Sequence, residues 1–398
     1  MEIIRSIFNK LEAELPNRAV SILLGARQVG KSTLMEQLQR SARKKGLSTV
    51  YYNLELSSDL EKFSGDAKGI YHLLTSGAEV VFIDEFHYLE NASKIFKSVY
   101  DGKKRVKIFA SGSSSLEIHK HLRESLAGRF QKTMIYPLSY EECGQIQEFN
   151  LDQYLRWGGM PGLLHSPGPE EKINLLENIV STYLTKDIKA LIQEENVRAF
   201  NSLLYLLAQN QGSLATHSNL AREIGLSEPT IVRHLEIMSQ TYVCFSVPSF
   251  STNLANELKK SRKYYLFDLG IRNQLLKDFR TAAERDDKGV LHESFVLQQL
   301  VPQLKPNMEI RFWRTKKGEE VDFILLKNRV PIPIEVKSAL KGPEIPSGLL
   351  QFMKRYPRAP FGIVFSENFK GESALDHRKI HFKTLPEVMN LDMLQSPL

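Results

Sequence analysis

A glycine-rich stretch near the N-terminus contains the residue types that bind phosphate groups. Its sequence fits the pattern G-x-x-x-x-G-K-[ST] at every fixed position, between a predicted buried strand over 19–24 and a predicted helix start at 32. Backbone N–H groups of such a loop approach the β- and γ-phosphates closely, and the following helix N-terminus adds partial positive charge. A glycine-rich turn without a ligand is the alternative. We predict a nucleoside triphosphate site formed by Gly25, Ala26, Arg27, Gln28, Val29, Gly30, Lys31, Ser32 and Thr33.

Two acidic residues that follow a run of apolar residues form the second nucleotide motif. Asp84 ends the predicted strand that contains the run 80–83, and a carboxylate at the carboxyl end of such a strand can reach Mg²⁺. We predict that Asp84 and the Ser32 hydroxyl hold Mg²⁺ together with ATP. Lys31 would neutralise phosphate oxygens, and Glu85 would polarise the water that attacks the γ-phosphate. A helix N-cap is the alternative role for the acidic pair.

Two further side chains are candidates for stabilising the transferred phosphoryl group. Ser113 follows the fourth predicted strand and can hydrogen-bond the γ-phosphate or the attacking water, although a helix cap would also explain a serine there. Arg129 precedes the fifth predicted strand and can stabilise charge on the phosphoryl group, including that in a neighbouring subunit's site. Arg123 competes for this role, and a surface salt bridge is the alternative for either arginine.

A second set of acidic and basic residues lies near the C-terminus. Asp322 is on one predicted strand, and Glu335 and Lys337 are on the next, where residues i and i+2 share a face. Two carboxylates suit Mg²⁺, a hard cation that prefers oxygen ligands, and the lysine can activate water beside a phosphodiester. Glu293, on a preceding predicted helix, is a further candidate. An exposed Glu–Lys strand face is the alternative interpretation.

The elements that must position these residues fall into three regions. Alternating strands and helices over 1–150 predict a parallel α/β sheet. Helical periodicity dominates 151–285. In 286–398 a predicted hairpin and a third strand contain the second acidic set. Pro331 and Pro333 require this third strand to start late or to lie partly at an edge, because proline cannot donate to a sheet ladder.

The segment 218–235 in the middle region has the pattern of a helix–turn–helix. Two predicted strands follow it, and together they resemble a winged helix, which can lay its second helix in a DNA major groove while the wing contacts phosphates. In that arrangement Thr230, Arg233 and His234 would face the groove. Acidic residues on the same helix oppose this, and a spacer or protein contact is the alternative. The basic residues between the strands are Lys259, Lys260, Arg262 and Lys263.

Composition limits the classes of function. A chain of 398 residues with 42% hydrophobic and 25% charged residues is typical of a multidomain globular protein. No apolar run approaches the roughly 20 residues that span a bilayer, and the N-terminus lacks a signal-peptide pattern, so we expect no membrane partner. The distant Cys143 and Cys244 indicate a reduced, cytoplasmic location. The net charge of +7 suits either a solvated basic surface or nucleic acid.

Several of these segments together resemble a prokaryotic AAA+-type ATPase family with a C-terminal restriction-endonuclease-like region. The resemblance rests on the glycine-rich loop, Phe-Ile-Asp-Glu at 82–85, Ala-Ser-Gly-Ser at 110–113, Leu-Ala-Gly-Arg-Phe at 126–130 and Gly-Gly-Met-Pro at 158–161, and a helix at 183–188 adds to it. Asp322, Glu335 and Lys337 match the D…(D/E)-x-K arrangement of restriction-endonuclease-like folds, and Glu293 resembles their additional acidic residue.

The resemblance implies an α/β protein of three domains. These are a P-loop AAA+-type ATPase core with a parallel sheet at 1–150, a helical and winged-helix domain at 151–285, and an α/β restriction-endonuclease-like domain at 286–398. It also implies ATP and Mg²⁺ as ligands, DNA as a partner, and a homo-oligomer such as a hexameric ring. We expect an ATP-hydrolysing motor on duplex or branched DNA. An ATP-regulated, metal-dependent DNA nuclease and an ATP-switched scaffold for a protein partner are the alternatives.

Overall fold

The computed structural model describes residues 2–102, 104–113, 128–146, 149–183, 197–251 and 262–390. The chain divides into two compact units. Unit 1 consists of Met1–Leu138 with Gln240–Tyr242, and unit 2 consists of Ser139–Ser239 with Val243–Leu398. The division into three domains stays a prediction. Within the described residues, every helix is too short or too polar to cross a membrane.

Unit 1 is built on a five-stranded parallel sheet, as predicted. Every residue of its first and third strands is buried, which accounts for their continuous apolar sequences, because helices cover both faces of a parallel sheet. The last strand begins at Phe130 rather than at the predicted 133. The spatial order is β2-β3-β4-β1-β5, with β1 (Val20–Gly25), β2 (Thr49–Asn53), β3 (Val80–Asp84), β4 (Lys107–Ser113) and β5 (Phe130–Met134).

The longer helices of unit 1 each bury an apolar face. The second helix shows this pattern most clearly, with Leu34, Met35, Leu38 and Ala42 buried at helical spacing. Short 3₁₀ turns at Glu61–Phe63 and Phe86–Tyr88 interrupt the connections. The helices are α1 (Phe8–Glu12), α2 (Lys31–Lys44), α3 (Ser57–Leu60), α4 (Ala67–Ser76) and α5 (Ala92–Asp101).

Unit 2 contains the predicted helix–turn–helix and most of the helices. Gly225, with a φ of 77°, ends the first helix of the pair, and Ser227 caps the second by accepting the Thr230 N–H at 3.4 Å. The helices are α6 (Tyr140–Cys143), α7 (Leu151–Trp157), α8 (Pro169–Tyr183), α9 (Val197–Gln209), α10 (His217–Ile224), α11 (Glu228–Gln240), α12 (Leu269–Leu276), α13 (Lys288–Leu300) and α14 (Ser347–Arg355). The 3₁₀ turns are Pro161–His165, Ala282–Glu284, Val301–Gln303 and Leu385–Met389.

Two sheets complete unit 2. A three-stranded antiparallel sheet of order β6-β8-β7 flanks the helix–turn–helix in the sequence. Strand β6 (Leu214–Ala215) precedes the two helices, and β7 (Cys244–Val247) and β8 (Arg262–Leu266) follow them. A six-stranded mixed sheet of order β13-β14-β12-β11-β10-β9 contains β9 (Met308–Arg314), β10 (Glu320–Lys327), β11 (Val330–Lys337), β12 (Phe361–Ser366), β13 (Gly371–Leu375) and β14 (Arg378–Thr384). The predicted fold class, with a parallel first sheet and a separate C-terminal α/β part, is confirmed.

The strand that contains both prolines lies partly at an edge, which is one of the two predicted arrangements. Pro331 and Pro333 pair with Leu326 and Ile324 of β10. On the other side of β11, pairing with β12 begins only at Ile334. The strand therefore does not start late, and the prolines occupy the part of β11 where a missing donor is tolerated.

The Gly-Gly-Met-Pro segment of unit 2 is held by a buried carboxylate. Asp268 accepts the Gly159 N–H at 2.7 Å and caps α12 by accepting the Ile271 N–H at 3.1 Å. Gly158 has a φ of 72°, and a Cβ on it would lie 2.2 Å from Asp268 Oδ1. Burial raises the pKa of Asp268 to about 6, although its backbone hydrogen bonds act in the opposite direction. The close approach of carboxylate and backbone explains the glycine at this position.

Candidate functional site

The glycine-rich loop of unit 1 lies at the carboxyl end of β1, between β4 and β5, where the strand order changes direction. β1 ends at Gly25 and α2 begins at Lys31. The backbone is left-handed at Gln28 and Gly30, with φ of 60° and 89°. A Cβ on Gly25 would lie 2.2 Å from the Ile135 carbonyl oxygen, so glycine is required for the loop to approach β5.

The side chains at the start of α2 differ in exposure. Ser32 and Thr33 are exposed on the first turn, where the helix dipole is positive. Lys31 is 5% exposed, and its Nζ donates to the carbonyl oxygens of Gly25 at 3.2 Å and Ala26 at 2.9 Å. Lys31 therefore lies along the inside of the loop. Within the rest of the loop, Ala26 and Val29 are buried, Arg27 and Gly30 are half-buried, and Gln28 is exposed.

Asp84 ends β3 and is 2% exposed, with donors around its carboxylate. Its Oδ2 accepts the Tyr51 hydroxyl at 3.0 Å, and its Oδ1 accepts the Glu85 N–H at 3.1 Å as well as the Ser111 hydroxyl. Burial and then the Asp84 carboxylate raise the pKa of Tyr51, which therefore stays a donor. Sequence reasoning missed Tyr51 and Ser111, although both lie on strands that flank β3.

Glu85 has an unusual backbone conformation for a non-glycine residue. Its φ of 53° and ψ of 48° are left-handed, at the start of the Phe86–Tyr88 turn. Its Oε2 lies 3.1 Å from Nδ1 of His87. Such a conformation destabilises the chain by about 1–3 kcal/mol and is concentrated at functional sites. The chain therefore turns out of β3 at Glu85, whose half-buried carboxylate comes immediately after Asp84.

The predicted serine follows the carboxyl end of one strand, whereas the predicted arginine precedes the amino end of another. Ser113 ends β4 in register with Gly25, so its backbone lies beside the glycine-rich loop. Arg129 precedes β5, and its Nε donates to Asp101 Oδ1 at 2.9 Å, a hydrogen bond that raises the pKa of Arg129. The length of β5, about 16 Å at 3.3 Å per residue, separates Arg129 from the loop of its own chain. A role in a neighbouring subunit stays a prediction, and Arg123 lies outside the described residues.

An arginine that sequence reasoning did not single out fixes the outer side of the loop. Arg5 is 8% exposed and precedes α1. Its Nη1 donates to the Val29 carbonyl at 2.9 Å, and its Nη2 donates to the Tyr136 carbonyl at 2.8 Å. These bonds tie the loop to the segment after β5. Because the guanidinium holds a loop carbonyl, it constrains the direction in which neighbouring N–H groups point.

The residues of unit 1 fit a nucleotide with Mg²⁺. Ser32 offers an exposed hydroxyl, and Asp84 offers a carboxylate whose oxygens are oriented by protein donors. Both are hard oxygen ligands of the type that Mg²⁺ prefers. Gly25 lets the loop lie against the segment after β5, and the left-handed Gly30 leads the backbone into α2. Loop N–H groups before a helix N-terminus are suited to binding phosphate.

The second acidic set is brought together at one end of the C-terminal sheet. Phe323 pairs with Ile334, which places Asp322 opposite Glu335 across the ladder. Asp322 Oδ2 accepts the Val336 N–H at 2.8 Å, and Lys337 Nζ lies 2.7 Å from Glu335 Oε1. Burial, then Glu335, raises the pKa of Asp322, and burial raises the pKa of Glu335 against the effect of Lys337. The predicted shared face of residues 335 and 337 is therefore present.

A lysine from the smaller sheet enters this cluster. Lys263 on β8 is 3% exposed at its side chain, and its Nζ lies 3.2 Å from Glu293 Oε1 and 2.6 Å from Glu320 Oε1. Tyr265, two residues along the same face, donates its hydroxyl to Glu293. Burial alone would lower the pKa of Lys263, but the surrounding carboxylates outweigh it and raise the pKa. Arg314, at the rim, pairs with Glu320 at 3.1 Å.

The predicted Mg²⁺ site at Asp322 and Glu335 stays a prediction. Among the described residues, no group of three or more His, Cys, Asp or Glu side chains is placed to hold a metal ion. Glu293 is engaged by Lys263 and Tyr265, and one oxygen of Glu335 is engaged by Lys337. The carboxylates therefore have ammonium and hydroxyl donors as partners.

Fewer side chains of the helix–turn–helix are exposed for contact with DNA than was predicted. Arg233 is exposed, and the Thr230 hydroxyl lies 2.8 Å from the Ser227 hydroxyl. His234, predicted to face a DNA groove, is only 2% exposed and lies edge-on to Phe200 at 5.4 Å, so that prediction is wrong. The predicted wing contact by Lys263 is also wrong, since that lysine is buried in the acidic cluster. Lys259 and Lys260 lie outside the described residues.

Fold and site together define unit 1 as a parallel α/β unit with a glycine-rich loop at the carboxyl end of β1. Residues 17–144 match a family model described as an AAA domain, which supports an AAA+-type ATPase. Residues 148–282 match a domain of unknown function, DUF8612, and residues 288–384 match a second, DUF4143. The C-terminal match assigns no activity, and the restriction-endonuclease-like fold stays a prediction.

Similar proteins occur in bacteria and archaea. An uncharacterized protein of Mycobacterium bovis is 26% identical over 82% of this chain and 72% of its own length. An uncharacterized protein of Methanocaldococcus jannaschii is 25% identical over 90% of this chain and 83% of its own length. One of Haemophilus influenzae is 23% identical over 65% of this chain and 69% of its own.

Solved structures resemble the chain only distantly. AMPPCP-bound DnaA from Aquifex aeolicus is 15% identical with a TM-score of 0.30, covering 59% of this chain and 86% of that one. Cdc6p from Pyrobaculum aerophilum is 11% identical with a TM-score of 0.27, covering 69% of this chain and 94% of that one. At these scores no property of either protein is carried over.

Proposed function

We propose that the chain is an ATP-hydrolysing AAA+-type protein that acts on DNA. The observation that supports hydrolysis most strongly is the joint geometry of unit 1. A glycine-rich loop with buried Lys31 lies at the carboxyl edge of the sheet, and the buried carboxylate of Asp84 is fixed at the same edge. The AAA-domain match over residues 17–144 agrees with this proposal.

Each residue of the site has a distinct task in the proposed reaction. Loop N–H groups and the Lys31 ammonium bind phosphate oxygens and offset their charge. Ser32 and Asp84 hold Mg²⁺, which would supply further charge neutralisation at the phosphates when bound. Glu85 orients the attacking water and takes up its proton at a carboxylate oxygen.

Ser113 and Arg129 have supporting roles in the proposal. Ser113 contributes a donor beside the loop, since its backbone is adjacent to Gly25. Arg129 acts on the phosphates of a neighbouring subunit, because in its own chain it lies at the amino end of β5, at the opposite strand end from the loop. This assignment requires a homo-oligomer, and a ring such as a hexamer meets the requirement.

DNA is the partner that the charge and the architecture of unit 2 favour. The whole chain has a net charge of +7. Helices α10 and α11, followed by strands β7 and β8, have the order of a winged helix, with Arg233 exposed on the second helix. We assign unit 2 to holding duplex or branched DNA.

The test for ATP chemistry compares Lys31→Ala with Lys44→Ala, which removes an exposed lysine from the other end of α2. Binding of a fluorescent ATP analogue and phosphate release are measured on the full chain. Lys31→Ala should abolish both, and Lys44→Ala should match the wild type. Undiminished turnover in Lys31→Ala would refute the assignment.

The test for DNA uses single-stranded, duplex and four-way-junction DNA over a series of salt concentrations, with and without ATP. Binding should weaken steeply as salt rises, because phosphate contacts release counterions. Arg233→Ala should weaken binding, whereas Lys354→Ala, at an exposed position of α14, should not. If no DNA binds at low salt, the protein-scaffold alternative is favoured instead.

A further inference from the structure

A cavity of unit 1 lies at the amino ends of the strands, away from the glycine-rich loop. Its volume is about 400 Å³, and the residues that line it precede or begin β1, β2, β3 and β4. Because these strands are parallel, their amino ends share one edge of the sheet, whereas the loop follows the carboxyl end of β1. β1 spans about 20 Å at 3.3 Å per residue, so the cavity is separate from the candidate nucleotide site.

Three cationic residues line this cavity together with one acidic residue. The cations are Arg18, Arg105 and Lys107, and the acid is Glu79. Arg105 is exposed, and among the described residues its guanidinium makes no hydrogen bond or ion pair. The Glu79 carboxylate accepts the Ser48 N–H at 2.9 Å and the Ser48 hydroxyl at 3.0 Å. The charge of the lining is therefore positive, and its one carboxylate already has donors.

Lys107 is the unusual member of this set, because its ammonium is buried among neutral partners. It is 5% exposed, and its Nζ donates to the Ala19 carbonyl and to the Ser21 hydroxyl, both at 2.6 Å, and lies 4.7 Å from the centre of the Phe109 ring. Within the part of the chain that the structure describes, Lys107 forms no ion pair, and Glu14 accepts the same Ser21 hydroxyl. Burial lowers the pKa of Lys107 to about 8, against the effect of Glu14.

A buried lysine of this kind is suited to an anionic ligand. Lysine is almost never fully buried unless its charge is paired, because the ammonium loses its water. An ammonium group has three N–H donors, and the two protein acceptors of Lys107 leave one for a ligand. An anion in the cavity would supply the charge that the protein partners of Lys107 lack.

The other walls of the cavity indicate the kind of anion. Guanidinium groups bind phosphate oxygens in pairs, and Arg18 and Arg105 bring two of them to the same cavity as Lys107. The cavity lies within the range of about 300–1,000 Å³ that is typical of small-molecule sites, so it has room for more than the phosphate group. Apolar side chains complete the lining, namely those of Leu15, Leu47, Val80 and Val106.

We propose that this cavity is a second anion site of unit 1 and that it binds a small molecule carrying a phosphate group. Lys107, Arg18 and Arg105 neutralise the phosphate, and the apolar walls contact whatever group is esterified to it. Free inorganic phosphate and a mononucleotide share this chemistry. The proposal does not depend on ATP hydrolysis at the glycine-rich loop.

Calorimetry on the full-length Lys31→Ala protein tests the proposal. This background removes the lysine of the glycine-rich loop, and low ionic strength keeps the charge interactions unscreened. Inorganic phosphate and adenosine monophosphate are titrated separately. At least one of them should bind with one site per chain. Tighter binding of the mononucleotide would assign the apolar walls to the nucleoside, and equal binding would assign the cavity to free phosphate.

A matched pair of substitutions locates the binding. Arg105→Ala, added to the Lys31→Ala background, should weaken binding at least about tenfold, a change of about 1.4 kcal/mol. Lys104→Ala removes the adjacent exposed cation, which does not line the cavity, and should leave the affinity unchanged. Because Arg105 is exposed, its removal should not prevent folding. Absence of binding by both probes would overturn the proposal. So would equal weakening by Arg105→Ala and Lys104→Ala.

Discussion

The buried carboxylate of Asp268 gives a quantitative prediction about pH. Asp268→Asn replaces a titrating group with one of similar shape that does not titrate. Asp268 is fully buried and accepts N–H groups from Gly159 and Ile271. Burial raises its pKa to about 6 from an ordinary value of 3.8. The difference corresponds to about 3 kcal/mol, at about 1.4 kcal/mol for each tenfold change in the acid dissociation constant.

The direction in which stability changes with pH follows from how tightly the folded and unfolded states bind the Asp268 proton. The folded protein holds the Asp268 proton more tightly than the unfolded chain does, so unfolding releases protons between these two pKa values. The stability contributed by protonated Asp268 is fully present below about 3.8 and is lost as pH rises through about 6. The stability advantage of the wild type over Asp268→Asn should therefore shrink by about 3 kcal/mol between about pH 3 and about pH 7.

Urea unfolding followed by tryptophan fluorescence measures this difference. Both tryptophans of the chain, Trp157 and Trp313, lie in unit 2, so their emission reports the unit that contains Asp268. Asp286→Asn, at an exposed position, is the control and should show no comparable pH dependence. If the difference in unfolding free energy between wild type and Asp268→Asn stays constant with pH, or grows as pH rises, the pKa of Asp268 is not raised in the folded protein.

Three further predictions concern the candidate nucleotide site of unit 1. Gly25→Ala should abolish ATP-analogue binding, because the new Cβ would lie 2.2 Å from the Ile135 carbonyl oxygen, and fluorescence titration checks this. Tyr51→Phe removes one donor to Asp84 and should destabilise unit 1 by about 1–3 kcal/mol in thermal unfolding, since a buried carboxylate loses a partner. Arg5→Met should weaken ATP-analogue binding measured by the same titration, with the far-ultraviolet circular dichroism unchanged, because the loop loses its outer anchor.

The first sheet and the loop could be predicted because their causes are local. Phosphate binding requires glycine at Gly25 and Gly30, a lysine next, and a strand before them, and all of this is written within a few residues. The buried strand 80–84 is equally local, since it is a continuous apolar run that ends in Asp84. The partners of Asp84 were not predictable, because Tyr51 and Ser111 are distant in sequence and meet it only in the folded sheet.

In unit 2, predictions of which side chains of a helix or strand are exposed were less successful. The face that contains His234 looks accessible in the sequence, but Phe200 from α9 covers it. Lys263 ends a basic segment that was predicted to form the wing, yet the partners of Lys263 lie on α13 and β10. Such contacts depend on how elements pack, and a hydrophobic pattern does not specify which buried polar groups meet. The shared face of Glu335 and Lys337 was predictable, because it follows from strand geometry alone.

In the proposed reaction Glu85 activates water for ATP hydrolysis at the loop of unit 1. Its most direct test is a pair of measurements on Glu85→Gln, namely the ATP dissociation constant and the steady-state rate of phosphate release. Glu90→Gln, at an exposed position shortly after it, is the control. We predict that Glu85→Gln binds ATP as the wild type does while turnover falls about 10²- to 10⁴-fold, as expected for loss of a general base. Turnover within a few-fold of the wild type would show that Glu85 is not the general base.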